Sequence, residues 1–239
     1  MLSLFGFGDD GWSSMLLAAT LTTLLLTVSA LLIGAVFGGL VASAKLSSSR
    51  MLRGVAEGYS VIFRGIPELL IIYLFYFGSS GVLTEIGKWF GADGFIQLPP
   101  FFVGALAIGL ISGSYQAEVY RAALLAIPRG QIEAGMAVGM PKGLILRHIT
   151  IPQLFRLALP GLSNVWQMSL KDSALISVTG IVEIMRASQM AAGSTRQYFT
   201  FFVAGAVLYL VLTSFSNVLF NRAEERMNRS LARQPGSSK

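Results

Sequence analysis

Read along its 239 residues, the chain is a series of long apolar runs separated by short polar stretches. The runs occupy residues 14–44, 59–79, 100–126, 157–180 and 198–220, each bounded by Gly, Pro, Ser or charge. A helix needs about 20 residues to cross roughly 30 Å of hydrocarbon, and every run meets that length. Backbone amides inside lipid must be satisfied without water, which leaves helices or a closed barrel. Barrel strands would alternate apolar and polar positions over about ten residues, and these runs do not alternate. The pattern predicts an all-α integral membrane bundle of about five transmembrane helices.

Composition agrees. Hydrophobic residues make up 54% of the chain and charged ones 13%, where a soluble domain carries about a quarter charged. A net charge of +6 raises the question of nucleic acid, but that needs basic residues clustered on one face with motif support. Here they sit between apolar runs, where they anchor cytoplasmic loops, so no nucleic-acid partner is expected. With no cysteine, disulfides and thiolate chemistry are excluded. Ala42, Ser43 and Ala44 mimic a signal-peptidase site, yet the preceding run is too long for a signal peptide and no basic residue precedes it.

Short basic loops are retained in the cytoplasm. Only Asp9 and Asp10 precede the first run. Lys45, Arg50, Arg53 and Arg64 follow it. Arg121, Arg129, Lys142, Arg147 and Arg156 lie at the loop between runs three and four, and Arg222, Arg226, Arg229, Arg233 and Lys239 in the tail. Those 14 of the 18 basic residues share one side; Lys88, Arg186 and Arg196 lie on the other, with Lys171 inside a run. The N-terminus, residues 1–13, is expected outside, in the periplasm. Residues 14–220 form one membrane domain, and residues 221–239 a cytoplasmic tail whose polar end, 235–238, has the composition of a disordered segment.

The loop at about 127–156 is long and patterned. Residues 130–138 and 142–150 read as two short helices, with Gly139 ending the first in a left-handed conformation and Pro141 blocking its continuation. Pro152 is expected to redirect the chain into the fourth run. A helix, turn and helix projecting from a membrane bundle suits docking into a groove on another protein; an interfacial amphipathic segment is the alternative.

These residues resemble the membrane subunits of ATP-binding-cassette importers. The family signature is Glu-Ala-Ala, three residues, Gly, nine residues, then Ile, one residue, Leu-Pro. This chain has Glu133, Ala134, Gly135, Gly139, Ile149, Ile151 and Pro152 at that spacing, with Gly135 and Ile151 departing conservatively. Five strict matches at fixed offsets arise by chance in about one chain in several thousand of this length. The resemblance implies a coupling loop seated in a cleft on a separate ATPase subunit, with Glu133 facing basic or amide groups there. No G-x-x-x-x-G-K-[ST] phosphate loop occurs in the chain. No cofactor is expected on this chain, with ATP and magnesium on the partner ATPase.

Two further stretches resemble the polar amino acid branch, extending the likeness to most of 57–189. One is Phe63, Arg64, Gly65, Ile66, Pro67 and Glu68, where Ile66 replaces the usual Thr; the other runs from Trp166 and Gln167 to Lys171, Asp172, Ser173, Ala174 and Leu175. The similarity is to permeases for histidine, lysine, arginine and opines such as octopine and nopaline. It implies import of a polar, basic solute by alternating access. The implied partners are two ATPase subunits, a homologous permease or a second copy, a periplasmic binding protein and membrane lipid. The implied location is a bacterial inner membrane, crossed several times.

Charged residues inside spans usually face the bundle interior or water. Lys171 and Asp172 are therefore candidates for the translocation path or its gate, against pairing for packing alone. Glu118 and Arg121, at i and i+3, share a helix face, and Glu118 is a candidate contact for a cationic solute or for Lys171; a local pair is the plainer reading. Tyr115 and Gln116 are candidates to line a polar path, though tyrosine also serves as an interfacial anchor. The Gly34/Gly38 and Gly109/Gly113 spacings are read as packing. His148, the only histidine, has no partners suggesting a metal or a nucleophilic triad. An ion channel or passive facilitator, a membrane enzyme and an assembly scaffold are the alternatives; none of them needs the Glu133 to Pro152 pattern.

Overall fold

The computed structural model describes residues 5–7, 11–91, 94 and 98–232, with side chains to residue 228. Asp9, Asp10, Arg233, Lys239 and the polar end at 235–238 lie outside the described residues, as does the side chain of Arg229. The regular elements are helical. They are α1 (Ser13–Lys45), α2 (Arg50–Gly65), α3 (Glu68–Trp89), α4 (Pro100–Ala126), α5 (Arg129–Ala137), α6 (Lys142–Ile145), α7 (Ile151–Asp172), α8 (Ile184–Thr195) and α9 (Tyr198–Ala232). A π turn, Leu146–Thr150, joins α6 to α7, and a 3-10 segment, Ser173–Thr179, extends α7.

Four helices among the described residues are long and apolar enough to span a bilayer: α1, α3, α4 and the Tyr198–Asn228 part of α9. The run at 157–180 does not reach that standard. It folds as α7 and the 3-10 segment, but Ser163, Asn164, Gln167, Ser169, Lys171 and Asp172 make it too polar to qualify on composition. Against the expected five spans, four strongly apolar helices meet the standard among the described residues, and the remaining run is a more polar helix that carries Pro160.

The run at 59–79 is not one helix. Ile66 is extended (φ −96°, ψ 137°) and Pro67 is the N-cap of a new helix, α3, which starts at Glu68. Proline lacks the N–H that would continue the ladder and pushes its predecessor out of the helical region, so an apolar run continuous in sequence breaks in space. Pro152 behaves in the opposite way to expectation. It lies in the first turn of α7, and the chain passes helically from Lys142 through the π turn into α7 without redirection. In the first turn of a helix the N–H that proline lacks is tolerated, and its fixed φ suits the helix.

The bundle is organised by α1 and α4, which share the most extensive contact among the described elements. Glycines make that approach possible. A Cβ on Gly38 would meet the Gly113 carbonyl oxygen at 3.0 Å and the Ala117 nitrogen at 3.1 Å; one on Gly109 would meet Ile33 at 2.7 Å. Both Gly-x-x-x-Gly spacings therefore face each other across one contact, as small residues do where helix backbones approach closely. Leu26, Ala30, Ile72, Ala105, Ile108 and Ile176 close a core around it. A second core, of Leu16, Ala19, Ala187, Ala191 and Phe201, seats α8 and α9 on the start of α1.

The outward faces are apolar too. Leu17, Leu21, Leu25, Leu32, Val36 and Leu40 form an exposed stripe along α1, and Phe199, Val203, Val207, Leu210 and Phe215 another along α9. Such stripes suit a lipid solvent, since water would disfavour them strongly.

Candidate functional site

Two features stand out: an exposed helical loop and a pair of charged cavities. In the loop, α5 ends in a Schellman turn. Gly139 adopts φ +80°, its N–H donates to the Met136 carbonyl at 3.0 Å, and the Met140 N–H donates to the Gly135 carbonyl at 3.0 Å. The predicted helix at 130–138 and its glycine stop are present within a residue or two. Glu133 and Ala134 are exposed on α5. Gly135 is buried, where a Cβ would meet Ile149 Cδ1 at 3.1 Å and Ile145 Cγ1 at 3.3 Å; the two isoleucines are what hold α5 against the π turn. Ile149 is half-buried, while Ile151 and Pro152 are exposed. α5 packs mainly on the segment that follows it, leaving Met136, Val138, Leu144 and Leu146 as exposed apolar side chains. His148 is exposed, its Nδ1 3.2 Å from the Leu144 carbonyl oxygen.

The charged cavities lie where the end of α1, α2 and α4 meet. One, of about 580 Å³, is lined by Lys45, Arg53, Gly54, Glu57, Arg64, Glu118 and Arg121. The other, of about 360 Å³, is lined by Glu57, Ser60, Val61, Arg64, Gly65 and Tyr115. Lys45 is held between two carboxylates, 2.5 Å from Glu118 and 2.9 Å from Glu57. Glu118 also takes Arg121 at 2.9 Å, with Arg64 at 3.9 Å. The Arg64 guanidinium stands 5.4 Å from the centre of the Tyr115 ring, within cation–π range. Tyr59 fixes α2 to α4 by donating to the Leu110 carbonyl at 2.6 Å.

The structure brings Glu118, Arg121 and Tyr115 together at these cavities. Glu118 does form the local pair with Arg121, but its cross-helix partner is Lys45 rather than Lys171. Gln116 lies elsewhere: it is 1% exposed, donates to the Leu31 carbonyl at 3.2 Å and accepts from Tyr120 at 2.8 Å. It is part of the α1–α4 contact, because the glycines of α1 leave room for its amide. Lys171 is exposed and Asp172 half-buried at the end of α7, and among the described residues Lys171 forms no ion pair. Lys45 and Arg64 were read from sequence only as orienting charges or motif letters, and Glu57 was not singled out. The signal that joins them is the i, i+7 spacing of Glu57 and Arg64 on one face of α2, next to a lysine ending the preceding helix.

A second buried polar group was not foreseen at all. Glu183 is fully buried and caps α8, accepting from the Met185 and Arg186 N–H groups at 2.8 and 2.7 Å and from the Tyr209 hydroxyl at 2.9 Å. Thr23 of α1 accepts from the Ile184 N–H at 3.2 Å.

An apolar-skinned helix bundle with charged cavities at one end and an exposed helical turn between two of its long helices is a membrane-embedded transport component. Residues 34–229 match the family of binding-protein-dependent transport system inner membrane components, and the chain belongs to that family. It is similar to the octopine transport system permease protein OccQ of Rhizobium meliloti, with 53% identity over 232 residues covering 97% of this chain and 98% of that protein. It is 36% identical over 216 residues to the histidine/lysine/arginine/ornithine transport system permease protein HisQ of Escherichia coli, covering 90% and 94%. A crystal structure of an amino acid ABC transporter with histidines superposes with a TM-score of 0.76 at 31% identity, over 90% of this chain and 95% of that one. Membership of this family sets aside the channel, enzyme and scaffold readings: the chain is a permease subunit of an ATP-binding-cassette importer.

Proposed function

We propose that the chain imports an opine or a basic amino acid across a bacterial inner membrane, by alternating access driven from a separate ATPase. The observation that carries the coupling is the exposed α5–Gly139–α6 turn, which presents Glu133 beside a row of exposed apolar side chains. Such a surface is the complement of a groove on another protein. Two ATPase subunits, holding ATP and magnesium, would seat two such loops. A homologous permease or a second copy would complete the path, and a periplasmic binding protein would deliver the solute. The orientation that fits places the N-terminus outside and the C-terminus in the cytoplasm, following the basic residues.

Glu133, Ala134, Gly135, Gly139, Ile149, Ile151 and Pro152 would form the coupling surface and its support. Glu118, Arg121 and Tyr115 at the charged cavities, with Lys171 and Asp172 at the far end of α7, would bound the path. Gln116 would hold α4 to α1 beside it. The solute class rests on the names of the relatives. The test is uptake into proteoliposomes containing the permease, its ATPase and its partner permease, with binding protein outside. Labelled octopine, arginine, histidine and glutamine should distinguish the class. ATP-dependent accumulation of octopine or arginine is the expected result; preference for glutamine over both would overturn the solute class, and uptake indifferent to ATP would overturn the coupling.

A further inference from the structure

On the outer side of the bundle, α1, α7 and α9 leave an apolar groove of about 380 Å³ between them. Its walls are Leu31 and Leu32 of α1, Leu159 and Trp166 of α7, and Leu219 and Phe220 of α9. Leu32 and Leu219 are 64% and 50% exposed, so the groove opens onto the apolar surface that suits lipid. α7 and α9 run antiparallel along it: Gln167 donates to Asn217 at 2.7 Å and Arg156 to Asn228 at 3.0 Å. The two bonds are the same distance apart in sequence on each helix, so the pair stays in register from one end of the groove to the other. The apolar span of α9 ends at Asn228, which puts the Arg156–Asn228 end of the groove at the membrane surface.

Three arginines gather at that end. Arg156 donates its Nε–H to Asn228, which leaves its two terminal nitrogens. Arg226 lies about one turn past Ala223, the last residue of α9 in the groove wall, and Arg222 beside it; both are exposed, on the side of α9 that carries Phe215 and Leu219. Among the described residues none of the three forms an ion pair. The acidic residues of the same turns do not balance them. At about 100° per residue, Glu225 projects from the side of α9 opposite Ser216, Leu219 and Ala223. Half-buried Glu224 turns toward α7, on the face that carries Asn217 and Asn228, and offsets one cation. Positive charge is therefore in excess where the apolar groove reaches the membrane surface.

An occupant must be apolar along the groove and anionic at its end. An acyl chain beneath a phosphodiester headgroup has that order. Guanidinium groups grip phosphate oxygens with paired donors, and basic residues at the ends of membrane helices draw anionic headgroups. We propose that the groove between α1, α7 and α9 binds an anionic phospholipid of the phosphatidylglycerol type. One acyl chain lies against Leu159 and Trp166, and Arg156 and Arg226 hold the phosphate. A second copy of this chain suits the groove less well, because a two-fold contact there sets the same arginines of both copies at one level of the membrane. The orientation proposed above places the lipid in the cytoplasmic leaflet; the site itself does not depend on that orientation or on the solute.

The test is photolabelling of the intact transporter complex in nanodiscs, mapped by peptide mass spectrometry. The probe is phosphatidylglycerol with a diazirine on one acyl chain, compared with phosphatidylethanolamine carrying the same chain at equal mole fraction. Phosphatidylglycerol should label the groove stretches 155–166 and 215–228 at least about threefold more than phosphatidylethanolamine. The exposed stripe at Leu17 and Leu21, near the other end of α1, should label alike with both. Arg156→Gln combined with Arg226→Gln should bring the ratio at the groove close to parity, whereas lysine at both positions should keep most of it. Asn228→Ala breaks the Arg156 hydrogen bond without removing a charge, so its ratio should stay high. A fall with Asn228→Ala as deep as with the glutamine pair would mark Arg156 as structural and overturn the proposal. Equal labelling by the two lipids means contact with bulk lipid only, and labelling by neither means that another protein chain covers the groove; either outcome overturns it.

Discussion

Lys45, the last residue of α1, donates to Glu118 of α4 at 2.5 Å with only 5% of its side chain exposed. A lysine buried this deeply is stable as a cation only because two carboxylates meet it, and the second, Glu57, is itself 67% exposed. The two partners should therefore be unequal. Lys45→Met removes the cation from Glu118, which keeps Arg121, so the expected loss is about 1–3 kcal/mol rather than the full penalty of an orphaned buried charge. Glu57→Gln should change stability by less than about 0.5 kcal/mol, because an exposed partner is screened by water. Thermal unfolding of the purified complex in detergent checks the order; equal shifts for the two variants would show that Lys45 is held by something other than Glu118.

The α1–α4 contact makes a sharper contrast between adjacent positions. A methyl group at Gly38 would press on the Gly113 carbonyl and the Ala117 nitrogen, both backbone atoms that cannot rotate away, whereas at Gly39 it would meet nothing within 4 Å. Gly38→Ala should destabilise by about 1–3 kcal/mol, as overpacking does. Gly39→Ala should be neutral or gain up to about 1 kcal/mol from improved helix propensity. The measurement is the midpoint of thermal unfolding for the two variants side by side.

How far the sequence discloses such features depends on whether they are local. The α5 stop was legible because glycine at a helix end and proline two residues later carry their own conformational preferences. The apolar faces were legible from run length alone. The break at Ile66 was hidden by hydropathy, which reads straight across Pro67, although proline chemistry signals it. Gln116 was misplaced because a polar residue in a span looks the same whether it faces water or fills a gap between glycines. The Lys45–Glu118 pair joins residues 73 apart, and Glu183–Tyr209 spans a reversal of the chain; neither has a periodicity to betray it.

At Gly139 the question is conformation rather than space, since a Cβ there would meet nothing within 4 Å while φ is +80°. Gly139→Val should strain the turn by about 1–2 kcal/mol, because a β-branched residue resists the left-handed region. Gly139→Asn should be tolerated. The bundle does not depend on this loop for its core, so the valine variant should insert and purify normally. If the loop couples to the ATPase, ATP-driven uptake falls while basal ATP hydrolysis of the complex persists. Uptake at the wild-type rate would remove the turn from the coupling mechanism.

Glu183 offers the clearest energetic test of the α8 region. Its carboxylate receives three hydrogen bonds, two from the first turn of α8 and one from Tyr209 of α9, with no exposure to solvent. Glu183→Ala leaves two backbone donors and a hydroxyl unpaired, an expected loss of about 3–5 kcal/mol. Tyr209→Phe removes one donor and leaves the cap intact, so its loss should be nearer 1–2 kcal/mol. The double variant separates the terms. If Tyr209 acts through Glu183, the losses are not additive and the double variant is close to Glu183→Ala alone. Strict additivity would mean that the hydroxyl stabilises α9 by another route, through Thr23 or Ser173, and that the carboxylate serves α8 only.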